Sequence, residues 1–190
     1  MKRKAAERNC AIAGSVAVCE NGNYYNRFYF VHPDGTVQHY DKKHLFTFGG
    51  EHKRFTAGTE RVVVNFRGVR ILLEVCYDLR FPVWARNLGD YDMILYVASW
   101  PTPRVDAWSA LLRARAIENQ CYVAGVNRMG VDPACEYSGG SAIIDPYGKT
   151  IAECPWSRES AVSADIDMEA LQAFRKKFPV LDDADPFTLI

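Results

Sequence analysis

The chain has 190 residues, a formal net charge of zero, 48% hydrophobic residues and 24% charged residues. This length suits a single domain over residues 1–190, and the composition is that of a folded globular protein rather than a disordered chain. The balanced charge disfavours nucleic-acid binding, which usually requires an excess of Lys and Arg. No segment approaches the ~20 apolar residues of a membrane span, so we expect no membrane partner.

Strand and helix patterns alternate along the chain, which predicts an α/β layered fold. A long apolar stripe at helical spacing predicts a helix over 104–120, and further helices are expected over 1–9, 82–87 and 168–177. Turn signatures such as Asp145-Pro146-Tyr147-Gly148 separate the predicted strands. These strands cover 10–18, 27–31, 36–40, 62–66, 69–75, 91–98, 122–126, 141–145 and 161–166. The first is expected to be buried, and 91–98 to be covered on both faces.

Six cysteines are present, and no two of them have Cys-x-x-Cys spacing. The absence of this spacing excludes the usual zinc-knuckle and thioredoxin patterns. Most of the cysteines lie in apolar runs, where a free thiol behaves as a small hydrophobic group. We therefore predict free thiols in a reducing compartment, the cytoplasm.

One cysteine, Cys76, ends an apolar strand, and a helix is predicted to begin six residues later. This arrangement presents a side chain at the edge of a sheet, as a nucleophile elbow does. Backbone N–H groups nearby would stabilise a thiolate and an oxyanion. A buried core thiol is the default interpretation of a single cysteine. The polar residues Tyr77, Asp78 and Arg80 favour a functional one instead.

A second polar stretch, residues 40–46, follows a predicted strand and contains Lys42 and His44. Taken alone, it is typical of a solvated strand end, with His44 as a structural hydrogen-bonding group. The two stretches together closely resemble the nitrilase, or carbon–nitrogen hydrolase, superfamily. Its members carry a Tyr-x-Lys-x-His-Leu-Phe segment and a Cys-Tyr-Asp-x-Arg-Phe-Pro segment, in the order found here. The resemblance continues through residues 112–120, 122–124, 127–128 and 145–148.

Within that superfamily, residues 40–42, 79–84 and 96–101 are most similar to the bacterial ω-amidase branch. The resemblance implies an α-β-β-α sandwich that pairs into a homodimer. It also implies hydrolysis of a small aliphatic amide, 2-oxoglutaramate or 2-oxosuccinamate, to a carboxylate and ammonia. Neither a metal ion nor an organic cofactor is implied.

The resemblance also assigns roles to individual residues. Cys76 would be the nucleophile that forms a thioester, and Lys42 and the backbone N–H of Tyr77 would hold the oxyanion. Glu51 would position the lysine. Two further residues, Arg80 and Trp100, would bind the substrate carboxylate or form the pocket wall, with a structural ion pair as the alternative for Arg80.

Members of the superfamily also use a glutamate on an early strand as general base, and its Pro-Glu motif is not found here. Neither Glu7 nor Glu20 matches it. We therefore expect a sandwich that lacks its first strand–helix units, on the order of 60 residues. Loss of a positioned base lowers a rate by roughly 10²–10⁴-fold, so the chain as given is expected to be nearly inactive.

Two other interpretations remain at this stage. The chain could be a non-catalytic relative, a binding subunit or pseudoenzyme that keeps the pocket without the base. Alternatively, Cys76 and His44 could form the pair of a cysteine protease, although the local Cys-Gly-x-Cys-Trp signature of such enzymes is missing.

Overall fold

A computed structural model describes residues 1–188, which form four α-helices and eleven strands. The helices are α1 (Lys2–Arg8), α2 (Pro82–Ala85), α3 (Val105–Glu118) and α4 (Met168–Lys177). The strands are β1 (Ile12–Glu20), β2 (Asn23–Val31), β3 (Val37–Asp41), β4 (Val63–Phe66), β5 (Val69–Val75), β6 (Met93–Ala98), β7 (Tyr122–Asn127), β8 (Met129–Val131), β9 (Glu136–Ser138), β10 (Ala142–Ile144) and β11 (Thr150–Glu153). Among these residues, no helix combines the length and the hydrophobicity needed to cross a bilayer.

The strands form two principal sheets and one small hairpin. The large sheet has the order β11-β10-β7-β6-β5-β4, and its three central strands β5, β6 and β7 run parallel. The small sheet is the antiparallel meander β1-β2-β3, and β8 pairs with β9. In the parallel register Val75 lies opposite Val97, and Ala98 lies opposite Asn127. The carboxyl ends of β5, β6 and β7 therefore meet at one edge of the large sheet.

Two hydrophobic cores cover the two faces of the large sheet, because successive side chains of a strand point to opposite faces. On one face, Leu72 and Ile94 belong to the core that includes Trp108 and Leu112 of α3. On the other face, Leu73 and its neighbours pack with residues of the small sheet, such as Phe28, Phe30 and Tyr40. The resulting layers are helix, large sheet and small sheet.

Most of the predicted elements are confirmed, and β5 and α4 have the predicted bounds. The prediction that β6 is covered on both faces is confirmed as well, since its side chains contribute to both cores.

Several expectations were wrong. Residues 161–166 form no strand. Strand β11 is the edge of the large sheet, and this segment pairs neither with it nor with another strand. The first strand is present as β1, but its side chains are half-buried or exposed rather than buried. The helix expected over 82–87 ends at Ala85. The short strands β8, β9 and β11 were not predicted.

Candidate active site

The sharp turn at Cys76 places its side chain at the edge of the large sheet. Strand β5 ends at Val75, and a 3₁₀ turn covers Cys76–Arg80. Cys76 has φ = 51°, in the left-handed region that residues other than glycine seldom adopt and that recurs at functional sites. The thiol lines a cavity of about 630 Å³ outside the carboxyl ends of the parallel strands, where ligands of open α/β sheets bind. The predicted elbow is confirmed.

The carboxylate of Asp78 joins this turn to the segment that carries Lys42. Asp78 is fully buried, and one of its oxygens accepts hydrogen bonds from Val75 N–H at 3.0 Å and from the Tyr40 hydroxyl at 2.8 Å. Its other oxygen accepts from the backbone N–H of His44 at 2.9 Å and from His44 Nδ1 at 2.8 Å. Tyr40 and His44 lie on either side of Lys42 in the chain, so this single carboxylate fixes both halves of the site.

Lys42 and Glu51 form a buried ion pair inside the cavity. Lys42 is 3% exposed, and its Nζ lies 2.6 Å from Glu51 Oε2. Glu51 also accepts hydrogen bonds from Phe46 N–H at 2.6 Å and from Asn26 Nδ2 at 3.2 Å. Burial raises the pKa of Glu51, but the ammonium and the other donors outweigh it, so this pKa lies below its ordinary value. The pair therefore holds a fixed ammonium group against the cavity.

The thiol of Cys76 is neutral at neutral pH. Burial raises its pKa above the ordinary value, although the Lys42 ammonium and the contact with the Ser99 carbonyl, 3.9 Å from Sγ, act in the opposite direction. Desolvation of the thiolate is thus the larger effect on this pKa, and stabilisation of a thiolate by local N–H groups stays a prediction. Attack by this sulfur requires a proton acceptor.

Three arginines surround the rest of the cavity, and each one lies over an aromatic ring. The Cζ atoms of Arg80, Arg104 and Arg128 lie 5.0 Å, 5.3 Å and 4.3 Å from the ring centres of Trp100, Phe46 and Tyr137, respectively. Within residues 1–188, Arg80 makes no ion pair, contrary to the structural alternative considered for it. These cations give the cavity a positive wall.

All six residues singled out from the sequence line this one cavity: Lys42, Glu51, Cys76, Tyr77, Arg80 and Trp100. The backbone N–H of Tyr77 lies in the first part of the 3₁₀ turn, where an N–H has no partner within the turn. By contrast, His44 is not among the lining residues; its ring stacks on Phe81 at 3.8 Å and bonds to Asp78. The interpretation as a Cys–His protease is therefore wrong.

The sequence did not single out two important lining residues. The side chain of Asn127 accepts from Trp100 N–H at 2.7 Å and donates to the carbonyl oxygens of Trp100 and Gly139, which fixes the pocket wall. Arg104 is the first residue of the helix predicted over 104–120 and was given no other role. The feature that could have identified it is its position directly before α3, because a cation at a helix N-terminus is electrostatically unfavourable. No group of His, Cys, Asp and Glu suited to a metal ion occurs in the part of the chain that the structure describes.

Comparison with known proteins identifies the family. The carbon–nitrogen hydrolase family model matches residues 1–176. The chain belongs to the carbon–nitrogen hydrolase family. This hydrolase is 53% identical to the omega-amidase YafV of Escherichia coli K12, over the whole of this chain and 74% of that protein. It is also 42% identical to the 2-oxoglutaramate amidase of Bacillus subtilis, over 90% of this chain and 67% of that protein.

A solved structure gives the same result for the fold. The structure of XC1258 from Xanthomonas campestris, a CN-hydrolase superfamily protein with an arsenic adduct in its active site, matches with a TM-score of 0.96 at 46% identity. The match covers 99% of this chain and 74% of that one. The predicted nitrilase-type sandwich, the enzyme class and the resemblance to the ω-amidase branch are therefore confirmed.

Proposed function

We propose that this carbon–nitrogen hydrolase cleaves the terminal amide of 2-oxoglutaramate or 2-oxosuccinamate through a thioester on Cys76. The observation that carries the proposal is the meeting of the Cys76 thiol, the Lys42 ammonium and the turn that bears the Tyr77 N–H in one cavity. The similarity to an omega-amidase and to a 2-oxoglutaramate amidase supports this choice of substrate.

In this mechanism the sulfur of Cys76 attacks the amide carbon, and a tetrahedral intermediate forms. Its oxyanion lies between the Lys42 ammonium and the Tyr77 N–H, and Glu51 keeps the ammonium in place. Donors aimed at a developing oxyanion contribute roughly 3–4 kcal/mol each in comparable hydrolases. The thiol proton passes through solvent to the amide nitrogen, which leaves as ammonia when the carbon–nitrogen bond breaks. A thioester remains on Cys76, and water hydrolyses it to the acid and the free thiol.

The proton acceptor is the missing part of this mechanism. The Cys76 thiol is neutral, and Glu51 is the only carboxylate among the described residues that line the cavity. Its oxygens already accept hydrogen bonds from Lys42, Phe46 and Asn26. We therefore expect slow turnover by these residues alone, with a rate roughly 10²–10⁴-fold below that of a site with a positioned base.

A burst experiment with an incubation long enough for the slow attack by Cys76 tests the proposal. Thioester formation releases one ammonia per chain, so 2-oxoglutaramate is expected to give a stoichiometric release together with an acyl adduct on the Cys76 peptide in mass spectrometry. Cys76→Ala is expected to abolish both signals, and Lys42→Met to slow them by roughly 100-fold. The matched control is Cys19→Ser, which removes an exposed thiol outside the cavity.

The alternative is a non-catalytic relative that binds ligands in the same pocket. It predicts neither ammonia nor an adduct from the wild-type chain at any pH, and that result would overturn the proposal. A cytoplasmic location, a homodimer and a single domain over residues 1–190 stay predictions. Sedimentation of the purified chain tests the dimer directly.

A further inference from the structure

The charges that line the cavity do not balance, although the chain as a whole is neutral. Lys42 is neutralised by Glu51, and Arg128 lies 3.4 Å from a carboxylate oxygen of Asp132. Neither Arg80 nor Arg104 is paired with a carboxylate within residues 1–188. Two positive charges therefore face the cavity without a partner from the described protein.

Arg104 is the more unusual of these two cations. It is half-buried, whereas Arg80 is exposed, so water screens its charge less effectively. It also directly precedes α3, where the partial positive charge of the helix terminus repels a cation. A half-buried guanidinium in this position is stabilised when an anion binds to it.

The backbone around Arg104 is fixed in a way that keeps its side chain at the cavity wall. Its carbonyl oxygen accepts a hydrogen bond from the indole Nε1 of Trp100 at 2.7 Å, and its N–H donates to Pro101 O at 3.0 Å. The guanidinium lies over the ring of Phe46, whose backbone N–H is bonded to Glu51. The backbone of Arg104 is thus held by Trp100 and Pro101, and its guanidinium lies against the ring of Phe46.

We propose that Arg104 binds the carboxylate at the end of the substrate opposite the reacting amide and thereby selects anionic amides over neutral ones. The planar guanidinium offers the paired N–H donors that bind a carboxylate in a bidentate manner. Arg80 lies over the ring of Trp100 and is exposed. It adds a long-range attraction for the anionic substrate, which salt weakens by screening. The inference rests on the proposed function for the place of the reacting amide, but binding of the carboxylate requires no turnover.

The test uses ligand protection of Cys76, so no catalysis is needed. Iodoacetamide alkylates the Cys76 sulfur, with loss of iodide and transfer of the thiol proton to buffer, and a bound ligand slows this reaction. Glutarate serves as the anionic probe and pentanamide as a neutral amide of the same chain length. For Arg104→Gln we expect the half-protecting concentration of glutarate to rise roughly tenfold or more, and that of pentanamide to change less than twofold.

The matched control is Arg67→Gln, which makes the same substitution on an exposed guanidinium that donates to the carbonyl oxygen of Asn9 and does not line the cavity. We expect it to change glutarate protection less than threefold. Arg104→Lys keeps the charge but loses the planar pair of donors, so an intermediate loss is expected. Equal losses for Arg104→Gln and Arg67→Gln, or no loss for Arg104→Gln, would overturn the proposal.

Calorimetric titration with glutarate provides a readout that does not depend on the thiol. Glutarate binding that needs Arg104, without any ammonia burst from 2-oxoglutaramate, would refute the proposed function and leave this inference intact. An ammonia burst that Arg104→Gln does not alter would refute the inference and leave the function intact. Thermal unfolding of each variant verifies that it is folded.

Discussion

Two buried carboxyl groups lie on either side of Cys76, and their surroundings differ completely. Glu74 precedes the cysteine by two residues and Asp78 follows it by two, and both are 0% exposed. Asp78 accepts four hydrogen bonds, from Val75, Tyr40 and twice from His44. Glu74, on the α3 side of the large sheet, has no hydrogen-bond partner among the described residues for either oxygen.

The difference shows how a buried acid is used in this fold. Four donors suit an ionised carboxylate, which only accepts hydrogen bonds, and they come from two separate segments of the chain. Asp78 therefore holds the site together. Burial, together with the nearby Asp78, raises the pKa of Glu74 well above its ordinary value, which favours the neutral acid in the folded protein. Among the described residues, Glu74 makes no side-chain hydrogen bond that links β5 to another segment of the chain.

The largest expected effect comes from Asp78→Asn. The new amide places N–H donors against the donors of Tyr40, His44 and Val75, so buried groups lose their acceptors. We expect the free energy of unfolding to fall by about 3 kcal/mol. We also expect that, in the Asp78→Asn background, Lys42→Met no longer changes the rate of Cys76 alkylation. Urea unfolding and peptide-resolved alkylation measure the two effects, and an effect no larger than that of Glu74→Gln would contradict this role for Asp78.

Glu74→Gln is expected to act in the opposite direction and with a pH dependence. Since the folded-state pKa of Glu74 is raised, its carboxyl favours the folded state below the ordinary glutamate pKa, and this stability is lost as pH rises towards the folded-state value. Glutamine cannot ionise, so the variant is expected to gain stability over the wild type above about pH 4.5, by at most about 1.4 kcal/mol per pH unit. Urea titrations between pH 4 and 8 measure the gain, and parallel curves would refute it.

Tyr40→Phe is expected to have the smallest effect of the three. It removes one of the four donors to Asp78 and leaves the other three in place. The expected loss is about 1 kcal/mol in the free energy of unfolding, the usual contribution of one hydrogen bond. Tyr24→Phe, on an exposed side chain of the same small sheet, is the control. A loss as large as that of Asp78→Asn would mean that the Tyr40 hydroxyl, rather than the carboxylate, holds the two segments together.

The sequence was sufficient for the parts of the site that depend on strand ends. Cys76 directly follows β5, which was visible as an apolar run, whereas Lys42 directly follows β3 and was singled out through the resemblance of its segment to the family. Because the ends of parallel strands meet at one edge, the position of the cavity followed from the topology.

Other features depended on contacts between distant residues. Arg104 reaches the cavity from the 3₁₀ turn before α3, and the role of Asn127 at the end of β7 depends on its hydrogen bonds with Trp100 and Gly139. The raised pKa of Cys76 depends on burial, which the polar residues around it in the sequence did not reveal. The strands β8, β9 and β11 have only three or four residues each, too few for an alternating pattern to identify them.

The proposed reacting groups are divided between the two sheets. Lys42 and Glu51 follow the last strand of the small sheet, whereas Cys76 ends a central strand of the large one. Each sheet can keep its internal hydrogen bonds while the contact between them loosens, because local opening requires less free energy than global unfolding. An opening of that contact separates the ammonium from the sulfur while each sheet keeps its own hydrogen bonds. Hydrolysis by this protein therefore depends first on the docking of one sheet against the other, and only then on the stability of each sheet by itself.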